Sequence, residues 1–232
     1  NGAFMTNQTD AETLARTIIE VANNAGTKTS AIITDMNQVL GHSVGNALEI
    51  KEAIEYLQNK NIEKRLDSVT KNLCSQLLVQ CQKAKTDQEA EIMIDKAITS
   101  GSALEKFAQM ISALGAPTDF IELSDKYLPQ SLYLKPIMAE QSGFISSIDT
   151  RAVGISIIQL HGGRTIPGQK LDLATGYTNF VQIGDYVDKN TPLAMVHYQS
   201  EEQYDLSKQA LLKAIHISTE KPEISSPILM KI

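Results

Sequence analysis

Basic residues are the first shortage in this sequence. Lysine and arginine total 21 against 27 aspartates and glutamates, a formal net charge of -6 over 232 residues, and no basic cluster stands out. The footprint of a protein that binds a phosphate backbone is therefore missing, and nucleic acid is not an expected partner. Long apolar runs are absent too: stretches such as AVGISIIQL fall well short of the ~20 residues of a bilayer span. No charged, apolar and small-residue series opens the chain as a signal peptide would, so no membrane partner and a cytoplasmic location are expected. Cysteine occurs only at Cys74 and Cys81, two turns apart in a helical-looking segment. That spacing puts both thiols on one face yet too far apart for a disulfide. With no second pair and no histidine to help, a role as small buried hydrophobes outweighs metal ligation.

What is present is ordinary globular composition, 42% hydrophobic and 21% charged, enough for one large core or two smaller ones. The first two thirds repeats one pattern: a hydroxyl or Asn, an acid three residues later, then apolar residues at helical spacing. Thr9 with Glu12, Asn46 with Glu49, Thr86 with Glu89 and Ser102 with Glu105 all fit a capping box or its Asn variant. Gly26 and Gly115 mark helix ends. In the second helix Ile50, Ala53, Ile54 and Leu57 form the apolar stripe, leaving Glu52 and Glu55 off it. A further helix over Leu66 to Ala84, with Leu73, Leu77, Leu78 and both cysteines, reads as largely buried. The run TSAIIT between the first two helices suits a strand in a helix-covered sheet.

After Pro129 helical spacing stops, and β-rich runs follow: LYLKPIM, GFISSI, AVGISIIQL, TNFVQI and PLAMVHY. Turn signals at Gly143, Gly162-Gly163, Pro167-Gly168 and Gly184-Asp185 separate them. One more helix, opened by Ser200 with Gln203, precedes a tail, KPEISSPILMKI, that reads as a turn and a last strand. The expected fold is α/β: residues 1–133 as the C-terminal portion of a mixed-sheet α/β domain, then residues 134–232 as a mostly β barrel-sandwich, hammerhead-like module. VQIGDYVDKNTPLAMV looks like the small domains that carry biotin or lipoate. The corresponding hairpin tip, Asp149-Thr150-Arg151-Ala152, offers arginine instead of an acylatable lysine, so the carrier chemistry is not expected.

The stretch AIITDMNQVLGHSVGNALEIKEAIEYL resembles the strand, loop and helix of thymidine phosphorylase and related pyrimidine-nucleoside phosphorylases. The likeness extends through NGAFM, GAPTDFIELSDKYLP, SGFISSIDTRAVG, HGGR and VQIGDYVDKNTPLAMVH, over essentially the whole chain. The chain corresponds to about the C-terminal half of such an enzyme. The resemblance implies a pentosyltransferase that converts thymidine and phosphate to thymine and 2-deoxyribose 1-phosphate, in nucleotide salvage. It also implies that the phosphate loop and the His, Arg, Ser and Lys set around the base lie upstream, so no catalytic residue is assigned here. Gly162-Gly163 is no substitute, because it does not open a helix.

By the same resemblance, Phe4 corresponds to the aromatic ring beside the pyrimidine, although taken alone it reads as a core residue. Leu40 and Ser43, through backbone carbonyls, and Glu52, through its carboxylate, correspond to ligands of a cation such as K+, Na+ or Ca2+; Glu52 alone reads equally as a surface acid in an ion pair. No organic cofactor is implied. Asp35 and Asn37 are expected to shape the turn. His42, His161, His197 and His216 share no metal-ligand spacing and accompany no nucleophile motif, so none is assigned to catalysis. The implied partners are a pyrimidine deoxynucleoside and phosphate in the intact, homodimeric enzyme, the oligomeric state of this chain being open. Alone, the chain is expected to be inactive, with residues 1 to 130 the less stable part. The alternatives are a non-catalytic binding or scaffold domain of the same fold, or part of a broader pyrimidine-nucleoside or adenosine-monophosphate phosphorylase.

Overall fold

Helices fill the first half of the computed structural model, which describes residues 1–232. They are α1 (Gln8–Asn24), α2 (Asn46–Leu57), α3 (Lys64–Gln80), α4 (Asp87–Thr99), α5 (Ser102–Ala113) and the single turn α6 (Ser124–Tyr127), with β1 (Ile32–Thr34) between the first two. A helix stands at each of the four expected starts, but the caps differ. Only α4 keeps its cap, with Thr86 Oγ1 accepting from the Glu89 amide at 3.1 Å. In α1 the cap is Asn7, whose Oδ1 accepts from the Asp10 amide at 2.9 Å, two residues before the expected Thr9. Glycine displaces the cap in the other two. Gly45 and Gly101, at φ 139° and 77°, turn into α2 and α5 in a conformation that side chains resist. Asn46 and Ser102 are thereby already helical, and Asn46 Nδ2 instead donates to the Gly162 carbonyl at 3.0 Å.

The helical half is thinly packed. Its own apolar cluster is small, centred on Tyr56, Ile94 and Ile98, and α1 and α5 bury no residue. Helix α3 is not the buried helix its leucines suggest: Leu73, Leu77, Cys74 and Cys81 are exposed, so the cysteines are surface thiols. The reason is that α3 packs chiefly against α4, leaving its opposite face uncovered. In α2 the buried residues are Ala47, Ile54 and Tyr56, and Ile50 faces solvent.

The second half contains β2 (Tyr133–Met138), β3 (Gly143–Ile148), α7 (Thr150–Gln159), β4 (Gly176–Thr178), β5 (Tyr186–Val187), β6 (Pro192–Tyr198), α8 (Glu201–Ala214), β7 (Ile215–Ser218) and β8 (Ile228–Lys231). Two corrections follow. AVGISIIQL is the helix α7, and Asp149-Thr150-Arg151-Ala152 is its start instead of a hairpin tip: Asp149 Oδ1 accepts from the Ala152 amide at 3.0 Å. Val153, Ser156, Ile157 and Leu160 lie buried on one side of it, and this helical stripe prevails over the β preference of its isoleucines. His161, at φ 62°, ends the helix, so Gly162-Gly163 follows a helix C-terminus. TNFVQI supplies strand only to Thr178, because Asn179 at φ 51° breaks the extended backbone.

All strand pairs are antiparallel. The sheets run β2-β6-β4 and β5-β3-β7, and they do not close into a barrel. Against them α7 and α8 pack, burying a cluster of 20 residues that includes Ile137, Ile145, Leu160, Phe180, Val196 and Leu211. The TSAIIT strand is not in a helix-covered sheet. It pairs with the tail as β1-β8, Ile33 opposite Met230, which joins the first and last segments of the chain.

Candidate functional site

The polar stretch between β1 and α2 holds the β-rich half in place. Gln38 Oε1 accepts from the Ile183 amide (2.9 Å), Gln182 Nε2 donates to the Gly41 carbonyl (2.7 Å), and the Phe180 amide donates to the His42 carbonyl (3.0 Å). Val44 and Tyr177 exchange both backbone hydrogen bonds, at 2.9 and 2.8 Å, and the Ala47 amide donates to the Leu173 carbonyl at 3.0 Å. The loop thus runs beside residues 173–183 almost as an added strand, and Val39 enters the main core. The crossing depends on two glycines. A Cβ on Gly45 would lie 2.5 Å from the Thr175 carbonyl oxygen, and one on Gly176 would fall on the Val44 carbonyl.

Glu52 closes this loop from the other side. Projecting off the apolar stripe of α2, its carboxylate accepts from the His42 amide at 2.6 Å and the Ser43 amide at 3.2 Å. Gly41 makes room for it, since a Cβ there would sit 2.5 Å from Glu52 Oε1. The carbonyls of Leu40 and Ser43 accept no hydrogen bond from another protein group. The structure therefore brings Leu40, Ser43 and Glu52 to one loop, with two free carbonyl oxygens and a carboxylate. No three His, Cys, Asp or Glu side chains converge anywhere in the chain, so backbone oxygens are required to complete any cation shell here.

Phe4 is fully exposed. The backbone before it is anchored: the Gly2 amide donates to the Met36 carbonyl at 3.1 Å, and Asn1 bridges to the start of α7, donating from Nδ2 to Asp149 Oδ1 (3.1 Å) and accepting the Arg151 amide (3.0 Å). The helix amide and the Asn1 side chain hold the Asp149 carboxyl below its ordinary range. Asp35 shapes its turn by accepting from the Asn37 amide at 3.1 Å, and it also forms a buried ion pair with Arg65 at 2.8 Å.

A cleft of about 1080 Å³ lies between α2, residues 125–134 and the β4-β6 strands. Glu52 and Ser43 line one side. Across it Lys51 pairs with Asp125 at 2.6 Å, an exposed contact worth little by itself. His197 faces the cleft, Nε2 2.9 Å from Thr178 Oγ1 and Nδ1 3.4 Å from Ser131 Oγ. Burial, and secondarily the charge of Lys51, push its pKa below the ordinary 6.5, so the ring is neutral at neutral pH. This histidine's surroundings are not legible in the sequence, because Thr178, Ser131 and Lys51 come from three separate segments. Of the others, His42 Nδ1 lies 3.3 Å from the Phe180 carbonyl, and His161 and His216 are exposed.

These elements define a mixed α/β protein with an appended β-rich region. Residues 1–104 match the glycosyl transferase family a/b domain, and residues 144–218 match the pyrimidine nucleoside phosphorylase C-terminal domain. The chain belongs to the pyrimidine nucleoside phosphorylase family.

Proposed function

We propose that this chain serves the phosphorolysis of thymidine or deoxyuridine as the base-wall and supporting part of a homodimeric thymidine phosphorylase. In that reaction a phosphate oxygen attacks C1 of the deoxyribose as the bond from C1 to the base nitrogen breaks. The departing base takes the bonding electron pair and then a proton. Phe4 provides a flat apolar face for the pyrimidine, orienting the base without moving a proton. The observation that carries this reading is the exposed Phe4 ring, presented on a backbone pinned at Gly2 in a chain of this family.

Phosphate activation is assigned to residues outside this chain. At five helix N-termini, the natural anion cradles, one first-turn amide is already taken by the chain's own acceptor: Asn7 in α1, Glu63 in α3, Thr86 in α4, Asp149 in α7 and Ser200 in α8. In α2 Glu49 takes the Gly45 amide, and in α5 Ser100 Oγ takes the Ser102 amide.

The loop at Leu40, Ser43 and Glu52 fits a hard cation, since its donor atoms are all oxygen and two carbonyls are free. A bound K+, Na+ or Ca2+ would offset the Glu52 charge and brace the loop. The test is thymine release in phosphate buffer, with deoxyuridine in parallel to report base choice. The chain alone is expected to release none, and addition of the upstream half of a family enzyme is expected to restore it. Release by the chain alone, or no restoration, contradicts the assignment; the second outcome favours a non-catalytic domain.

A further inference from the structure

We infer that the buried Asp35–Arg65 pair is a positioning element for Phe4, acting through the turn at residues 35–37. The inference rests on the base-wall reading of Phe4, and the test below separates the two. Both partners are 8% exposed. Arg65 Nη2 donates to Asp35 Oδ2 at 2.8 Å and also to the Asp35 backbone carbonyl, while the Asp35 amide donates to the Pro227 carbonyl at 2.9 Å. Asp35 Oδ1 meanwhile accepts from the Asn37 backbone amide and Nδ2. Every polar group of Asp35 is therefore committed, and the Met36 carbonyl between these anchors has one orientation. That carbonyl receives the Gly2 amide, two residues before the aromatic ring.

The channel that holds Gly2 is narrow. A Cβ at Gly2 would lie 3.0 Å from the Met36 oxygen and 3.0 Å from Thr150 Cγ2, so the strap threads between the turn and the start of α7. A buried ion pair is a poor source of net stability, because desolvation offsets its attraction. Arg65 Nε is buried without a partner, so the guanidinium is not seated to satisfy its own donors. Its engaged nitrogen goes wholly to Asp35, which suits a role in geometry.

The chain has no tryptophan, so Phe4→Trp places a single indole reporter on the strap. It is introduced into the otherwise unaltered chain and into Arg65→Gln and Arg65→Lys; Arg65→Lys keeps the charge but loses the planar fork. The readouts are indole anisotropy, backbone order parameters at residues 2–4, and quenching by thymine. Both Arg65 variants are expected to lower the anisotropy and to take residues 2–4 from a rigid order parameter near ~0.85 to below ~0.6, with far-UV circular dichroism retained. Unchanged anisotropy and order in a folded variant overturn the inference, even if its melting temperature falls. Arg65→Lys decides alone if Arg65→Gln does not fold. Thymine quenching in the unaltered background reports only on the base wall, so its absence would refute that reading while the order parameters still judge the positioning.

Discussion

Replacing Glu52 by glutamine isolates the contact on which the loop's closure depends. The carboxylate accepts from two backbone amides, at 2.6 and 3.2 Å. A hydrogen bond to a charged group contributes about 1.5–3 kcal/mol when well buried, and partial exposure of this side chain moves the figure toward the low end. Glutamine keeps one accepting oxygen and turns an NH2 group toward the other amide. The net loss is then about 1–2 kcal/mol, or roughly 2–8 °C in melting temperature for a chain of this size. Thermal unfolding followed by circular dichroism measures the total, and amide exchange locates it: His42 and Ser43 are expected to exchange faster, while Tyr177, held by Val44 on the other side of the loop, stays as protected as before. Unchanged exchange at His42 and Ser43 would refute the argument. The same variant tests the cation assignment, since K+, Na+ or Ca2+ is expected to raise the melting temperature of the unaltered chain and not that of Glu52→Gln. An equal rise in both would remove the carboxylate from the ligand set.

Other consequences follow from burial and charge. Because the His197 pKa is lower folded than unfolded, the unfolded chain takes up the extra proton, and stability should fall as pH drops through 6.5 toward the folded value; His197→Gln should flatten that acid limb of a melting-temperature profile, and an unaltered limb would contradict the assignment. Both cysteines are exposed, but burial pushes the Cys74 thiol up, so mass spectrometry should find Cys81 alkylated before Cys74 at pH 8. Hydrogen exchange should be slowest in β3, β6, α7 and α8, around the 20-residue core, and fast in α1, which buries nothing. Stronger protection before residue 130 than after it would reverse this picture.

The sequence made helix starts legible because capping is local: Thr86 and Glu89 lie within one turn of each other, and Ser200 with Gln203 opens α8 as read. It failed where a glycine one residue upstream could take a conformation that Asn46 or Ser102 avoids. Helix α7 was hidden by its isoleucines, whose β preference conflicts with a stripe visible only when Val153, Ser156, Ile157 and Leu160 are set on one face. Surface thiols at Cys74 and Cys81 followed from packing, since apolar content alone does not say which faces of α3 are covered. Leu40, Ser43 and Glu52 were named by the family resemblance of this stretch; what the structure adds is that Glu52 accepts from the His42 and Ser43 amides. Its second task, holding residues 173–183, depends on Gly45 meeting Gly176 across a crossing of distant segments. Arg65 with Asp35, and His197 with Thr178 and Ser131, are likewise products of the fold and carry no spacing signature.

The central claim is that this chain offers the pyrimidine a wall and offers phosphate no seat. Titration of the isotopically labelled chain with inorganic phosphate, followed by amide chemical shifts, tests it most directly. The account predicts only small, non-saturating drifts at the N-termini of α1, α3, α4, α7 and α8, where Asn7, Glu63, Thr86, Asp149 and Ser200 each already accept one first-turn amide. A group of neighbouring amides shifting together to saturation would contradict it.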